Sequence, residues 1–541
     1  MQRPSPPTRD RRGLAALAAL LAVAATLRLW GITWGLPDAT HLFSYHPDEY
    51  HSLRGLFSLL LGDLNPHFFN YGSLYLYLVG ATVFLLHPGA APDAWLAQLT
   101  QGGAQPLLRT WTLDARLVSV AAALVTVYLV FLLGRRLLHP GAGLLAAGLV
   151  AVLPLHVLLS HYGTVDVTLT MFVVLSLYLS VLYVQQPGWS TLLWAGVAAG
   201  LAASTKYNGA LVLIAPLLAA GIGEARRGRL APVAGRCLGA LAAAGVAFAL
   251  TSPYTLLAWS EARQSLAFEL GHMAQGESLA VAAEPSALLF HVKHLLAPGM
   301  GLALLAGVAG AVEVVRRRRR EAYPLVVFCG VWLVALSLAN VRYPRYELPL
   351  AVTLAVLAPL ALSGLSRRVQ VGGAGLLLAG CLLWTLPLCA RLGGPDPHQQ
   401  ALEYVLRQST PEQTVGVLGQ PWFADPPLDY CNGGTVISRS PLWAPYRRPV
   451  RPLVLTGLDG PELSRRRPDL FVVAEDFALA DGLAAGDPAT RGLAAALEAD
   501  YRPAARFGGV PLPLIPWRLG QDWRYPWPQI TVWQRTAPPA G

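Results

Sequence analysis

The segment His46-Pro47-Asp48-Glu49-Tyr50-His51 puts two carboxylates among three ring side chains. Carboxylates and imidazoles are the groups that take and return protons near neutral pH, so general base chemistry is what this segment is equipped for. A plain solvated loop with a proline turn is the competing account. A further acid, Asp166, stands in His161-Tyr162-Gly163-Thr164-Val165-Asp166 at the head of an apolar run. There it either serves the helix dipole or faces the same substrate as Asp48. Cations form the third group. The chain has two lysines, Lys206 and Lys293, and Lys206 lies in the polar break Ser204-Thr205-Lys206-Tyr207-Asn208. Val341-Arg342-Tyr343-Pro344-Arg345-Tyr346-Glu347 brings two arginines and two tyrosines together. Arginine and tyrosine commonly anchor the end of a membrane span. The alternative is an anion clamp, because guanidinium groups grip phosphate oxygens in pairs. Glu261, Glu269, His272, His291 and His294 occupy a separate polar stretch that would close over a substrate. His291 and His294 have metal-like spacing, yet no matching acid accompanies them, so no metal site is assigned.

The elements that must position these residues are membrane helices. Of 541 residues, 54% are hydrophobic and 13% charged, about half the charge of a soluble domain. With about 20 apolar residues needed per crossing, spans are expected at 13–32, 113–134, 141–159, 166–184, 189–204, 207–222, 232–252, 296–315, 323–339, 346–363 and 371–391, a total of about eleven. The first is expected to be an uncleaved span rather than a signal peptide. The apolar segment 72–87 is short and is expected to be re-entrant or interfacial. The net charge of +10 is spread in short clusters between apolar runs, which argues against nucleic acid. Arg135 and Arg136, Arg226 to Arg229, Arg316 to Arg320, and Arg367 and Arg368 fall in alternate loops, the arrangement expected of a cytoplasmic face. The polar segments 36–109, 161–166, 204–208, 253–298 and 341–346 then share the outer face, provided 72–87 does not cross.

Residues 1–394 are therefore expected to form a membrane domain with long outer loops at 36–109 and 253–298. Residues 395–541 form a second, extracytoplasmic domain. Short apolar stretches at 414–418, 453–456, 470–474 and 530–533 predict strands and 399–407 predicts a helix, a small α/β unit. Cys237, Cys329, Cys381 and Cys389 sit in or beside apolar runs and Cys431 in the tail, so no disulfide framework is expected.

Asp48-Glu49 in a long first loop, Gly62-Asp63 and Pro66 further along it, Asp166 after Pro-Leu-His, Thr205-Lys206, and Arg342 to Pro349 together make the chain resemble the GT-C class of polyprenyl-phosphate-sugar-dependent glycosyltransferases, the group of protein O-mannosyltransferases and lipid A aminoarabinose transferases. The resemblance covers most of residues 13–391. It implies a polytopic α-helical, GT-C-like fold with catalytic residues Asp48, as base, Glu49 and Asp166. It also implies donor-phosphate contacts from Arg342 and Arg345; Lys206 is a further candidate for the phosphate, and His46, His161 and Tyr346 are expected about the substrate. Many relatives carry Lys-Pro-Pro-Leu where this chain has Tyr71-Gly72-Ser73-Leu74, so a phosphate-binding lysine is missing there, and Lys206 or an arginine would have to replace it.

The expected reaction is an inverting single displacement that moves a sugar from a polyprenyl phosphate to an acceptor hydroxyl. The phosphate is stabilised as it leaves. Expected partners are the lipid-linked donor, membrane lipid and a glycan, lipid or protein acceptor, in a bacterial inner membrane. No cofactor is required, and a divalent metal is not indicated. Rival functions are a transporter or lipid flippase, which calls for charges in mid-span, and a non-catalytic assembly protein working through its tail.

Overall fold

The computed structural model describes residues 11–89, 92–100, 104–410, 412–418, 423–428, 452–455, 460–510 and 515–536, and Cys431 lies outside them. Eight described helices are long and apolar enough to cross a membrane, or ten if each of two bent pairs makes one span. All eleven expected segments are largely helical. The segment expected at 189–204 forms the helix Trp189–Thr205, 17 residues long. It packs where Gly196 and Gly200 face the carbonyls of Ala240 and Ala244, the close approach small residues permit between membrane helices.

Two expected spans are not straight, and proline explains both. Pro154 splits one into Pro140–Ala151 and Pro154–Ser160, bent by 56°. A proline has no N–H for the carbonyl four residues back, here Val150. Arg28, buried in the first helix Arg11–Leu29, fills that gap by donating to Val150 O at 3.1 Å and Ala151 O at 2.9 Å. The charge that interrupts the first apolar run thus caps a broken helix. The expected span 296–315 is corrected more strongly. Ala287–Met300 and Leu302–Arg316 meet at 115°, with Pro298 inside the break and Gly301 at φ +60°. Only the second part continues as a straight apolar helix.

The outer segments also differ from open loops. Residues 36–109 contain the helices Pro47–Leu60, Leu74–Leu86 and Pro92–Thr100, and the long helix Ala104–Leu137 starts within them. At 1.5 Å per residue the 13 residues of Leu74–Leu86 cover about 20 Å, less than the ~30 Å hydrocarbon core. The arginine-rich loops meet at one end of the bundle. Arg319 donates to Leu137 O, Gln185 to Arg136 O and Arg227 to Pro187 O. The polar segments assemble at the other.

After the last apolar helix, Arg367–Leu392, comes the helix Pro397–Gln408 and a mixed sheet of five described strands. These are β1 (Val415–Leu418), β2 (Pro452–Leu455), β3 (Leu470–Ala474), β4 (Tyr501–Gly508) and β5 (Gln529–Arg535), in the order β2-β1-β3-β5-β4. β1 runs parallel to β2 and β3, while β5 runs antiparallel to β3 and β4. β4 was not expected. It is an edge strand with Pro503, two arginines and an irregular register, features that hide a strand from a search for apolar alternation. The domain is seated on the bundle. The His398 ring stacks on Tyr45 at 4.1 Å between centroids, and the Gly520 N–H donates to His294 Nε2 at 2.7 Å.

Candidate active site

Asp48 and Glu49 open the helix Pro47–Leu60, whose first turn is closed by His46: its Nδ1 accepts the Asp48 N–H at 3.2 Å. Two consecutive residues near the start of a helix point about 100° apart, so the pair is divided between two environments. Glu49 turns into the protein. Arg116 grips both its oxygens, at 2.7 and 2.8 Å, and the Gly163 N–H donates to it at 2.7 Å. A Cβ on Gly163 would lie 2.7 Å from that of Ala115, so a larger residue would push the N–H away from Glu49. Arg116 also holds the carbonyls of Ile32 and Trp34, which ties the exit of the first helix to this knot. Burial raises the Glu49 pKa, and Arg116, with His46 and the Gly163 N–H, outweighs it, leaving the carboxyl below its ordinary range. Arg116 escaped the sequence reading because it lies in the opening turn of an expected span, where a snorkelling charge is ordinary.

Asp48 faces a cavity of about 450 Å³ lined also by His51, Tyr71, Glu269, Tyr343, Arg345 and Tyr346. Arg345 Nε lies 3.3 Å from Asp48 Oδ2, and that N–H, though buried, makes no hydrogen bond. Burial acts upward on the Asp48 pKa, but Arg345, with His46, Lys206 and His51, outweighs it and holds the carboxyl below the ordinary range. Asp48 is therefore held in its carboxylate form beside a guanidinium.

Lys206, at the cap between Trp189–Thr205 and the turn Tyr207–Leu213, reaches Asp166 Oδ1 at 2.8 Å. Its ammonium lies 4.1 Å from the centre of the Tyr346 ring and 5.4 Å from that of Tyr71, so the pair stands against two rings of the cavity wall. Asp166 Oδ2 has no hydrogen-bond partner. Burial lifts the Tyr71 phenol well above its usual pKa, and Asp48, Tyr346 and Asp166 add to the lift. Both acids thus bear on one side chain. Residues 71–74 run close against the segment that carries Lys206. A Cβ on Gly72 would fall 2.0 Å from the Ser204 carbonyl oxygen, and the Ser73 N–H donates to Ser252 Oγ, itself 2.6 Å from Ser204 Oγ.

Three expected contacts fall elsewhere. Arg342 lines a neighbouring cavity of about 460 Å³ with Glu284, Lys293 and Arg518, and spends its donors on the carbonyls of Ala339, Glu284 and Pro285. The two cavities share Glu277, Phe423 and Gln521 as walls. His161 is buried against the carbonyls of Val157 and Trp30. His46 is buried between the rings of Tyr162 and Tyr525, and burial lowers its pKa. His291 pairs with Glu347 at 2.9 Å rather than with His294. Among the described residues no group of three or more His, Cys, Asp or Glu side chains is placed to hold a metal ion.

The tail contributes what the sequence reading did not anticipate. Asp522, at the end of the sheet domain, bonds both the Arg345 N–H and its Nη1, at 2.7 and 2.6 Å. Tyr525 lines the Asp48 cavity. The available signal was an acid set among aromatics in Gln521-Asp522-Trp523-Arg524-Tyr525.

Residues 101–259, which carry Asp166 and Lys206, match the family described as dolichyl-phosphate-mannose-protein mannosyltransferase. No curated protein matches the sequence. Among solved structures, ArnT from Cupriavidus metallidurans in the apo state is 16% identical, with 96% of this chain and 98% of that chain covered and a TM-score of 0.50. ArnT bound to undecaprenyl phosphate gives 16%, 99%, 100% and 0.49. The archaeal oligosaccharyltransferase AglB from Archaeoglobus fulgidus, in complex with an inhibitory peptide and a dolichol-phosphate, gives 13%, 96%, 77% and 0.48. Residues 101–259 are thus similar to that mannosyltransferase family, and the chain as a whole has a fold like that of apo ArnT.

Proposed function

We propose that this protein transfers a sugar from a polyprenyl-phosphate carrier to an acceptor hydroxyl at the extracytoplasmic face of a bacterial inner membrane, with inversion at the anomeric carbon. The observation that carries the reading is the meeting of Asp48 and Arg345 in one cavity, with the Arg345 Nε–H buried and without an acceptor. The Asp48 carboxylate takes the proton of the acceptor hydroxyl. The oxygen forms a bond to the anomeric carbon, and the bond from that carbon to the phosphate oxygen breaks. The electron pair leaves with the lipid phosphate, whose growing charge Arg345 meets, with Lys206 behind Tyr71 and Tyr346 adding a second positive centre. An anionic donor also competes for Arg345 and so frees Asp48 for the proton.

Glu49 supports this site as a strut and does not face the cavity. The carriers bound to ArnT and AglB are lipid phosphates, which agrees with the reading. The test is purified protein in lipid nanodiscs with a panel of undecaprenyl-phosphate sugars and glycan, lipid and peptide acceptors, scored for release of undecaprenyl phosphate. Acceptor-dependent release from one donor is expected. No release from any donor, or unchanged release by Asp48→Asn, overturns the reading.

A further inference from the structure

We infer that Asp522 is a positioning residue for Arg345, so that the C-terminal α/β domain is a working part of the reaction site. The inference rests on the function proposed above and assigns the tail a role in it. Arg345 lies in the short helix Pro344–Glu347, between an extended segment and a membrane helix, with its guanidinium 3.9 Å from the centre of the Tyr343 ring. Asp522 holds it from two further sides. Its Oδ2 takes the main-chain N–H of Arg345 and its Oδ1 takes Nη1. A single carboxylate therefore fixes both the root and one end of the guanidinium. What remains toward Asp48 is the Nε edge, the edge without a hydrogen bond.

The charges are as telling as the geometry. Arg345 carries one positive charge between two carboxylates, Asp48 and Asp522. Asp522 is fully buried, so water does not relieve it. Were the guanidinium shared with Asp48 alone, it would hold that base more tightly and present more net charge to an arriving phosphate. Asp522 takes part of that charge and so limits both effects. The placement of Asp522 is secured from both sides: in its own domain Arg524 donates to Leu519 O and pairs with Asp481, while Gly520 is bonded to His294 of the bundle. An element that only joined the domain to the bundle would have no need to meet the guanidinium that lies against the base.

The test is Asp522→Asn, which keeps an oxygen acceptor for the Arg345 N–H and removes the charge. Measured with the donor found active in the panel, kcat is expected to fall about tenfold or more with the donor KM unchanged or lower. Binding of undecaprenyl phosphate alone is expected to tighten about tenfold, since one of two carboxylates beside the cation is gone. A purely structural residue would lose both, in step with the folded fraction measured by thermal unfolding. Wild-type kcat and affinity, or weakening of both, overturns the inference. Where the Asn variant does not fold, Asp522→Glu retains the charge but misplaces it by a methylene, and kcat should fall while affinity for undecaprenyl phosphate stays. Wild-type kcat in that variant overturns the inference as well. Asp48→Asn runs alongside: full transfer by it sinks the proposed function, whereas a dead Asp48→Asn with an unaffected Asp522→Asn sinks only the role of Asp522.

Discussion

The ammonium of Lys206 stands 2.8 Å from Asp166, although one residue caps a helix and the other heads a different one. Both are buried, so each depends on the other for its charge. Removing one partner of such a pair costs about 3–5 kcal/mol, because the survivor is left uncompensated in a low-dielectric site. Lys206→Met should therefore lower the thermal unfolding temperature markedly in detergent. Lys206→Met with Asp166→Asn should recover much of that loss and remain slow in transfer. A double variant as unstable as the single one would show that the charge is not what Lys206 supplies.

Asp48 and Arg345 make a prediction about pH. Burial lifts the Asp48 pKa, and Arg345 with the neighbouring cations brings it below the ordinary carboxylate value. In the ligand-free protein Asp48 is thus ionised at every pH above that lowered value, and the acid limb of kcat/KM should lie below about 4. Arg345→Ala removes the principal downward influence and leaves burial, so the limb should move up in pH as the rate falls. A limb that stays in place would mean that a different group sets it.

The helices were legible because apolar runs about 20 residues long have few other solvents than lipid, and the strands Leu470–Ala474 and Gln529–Arg535 were legible from their apolar content. The Asp48-Glu49 pair stood out because two adjacent acids beside a membrane need partners. Their division of labour did not, since it depends on Arg116 and Gly163 for one and on Arg345 for the other, all far along the chain. The direction of the Asp48 pKa was hidden for that same reason: burial acts locally, whereas the guanidinium that reverses its effect arrives by tertiary folding. The break at Leu295–Met300 is a different matter. Pro298, Gly299 and Gly301 were in view, and the smooth hydropathy of the stretch hid their effect.

Gly72 controls how closely the first outer segment approaches Lys206. In Gly72→Ala the new methyl would meet the Ser204 carbonyl oxygen at 2.0 Å, a backbone atom that cannot rotate aside. One segment must move, at a cost of about 1–3 kcal/mol. Because Ser204 is two residues from Lys206, transfer should fall by more than the loss of folded protein accounts for. Ser73→Ala is the control: its N–H, not its hydroxyl, makes the bond to Ser252, so that variant should be close to wild type. Equal losses in the two, measured as rate per folded molecule, would count against a specific role for Gly72.

Asp476, in the α/β domain, tests the domain separately from the chemistry. Burial pushes its carboxyl up to about 7, against the opposing pull of Arg524 and the Gln529 N–H. The folded state therefore holds this proton over a range in which the unfolded chain, with an ordinary aspartate, has released it. Stability contributed at this site is greatest below the unfolded value, near 4, and falls as pH rises toward 7, beyond which the full penalty of the buried charge is present. Asp476→Asn is neutral throughout and still offers an oxygen to the Gln529 N–H, now bonded at 3.1 Å. The variant should unfold at a higher temperature than the parent at pH 8, with the gain shrinking toward pH 5. A gain of the same size at both pH values would show that shape, not charge, is what the substitution changes.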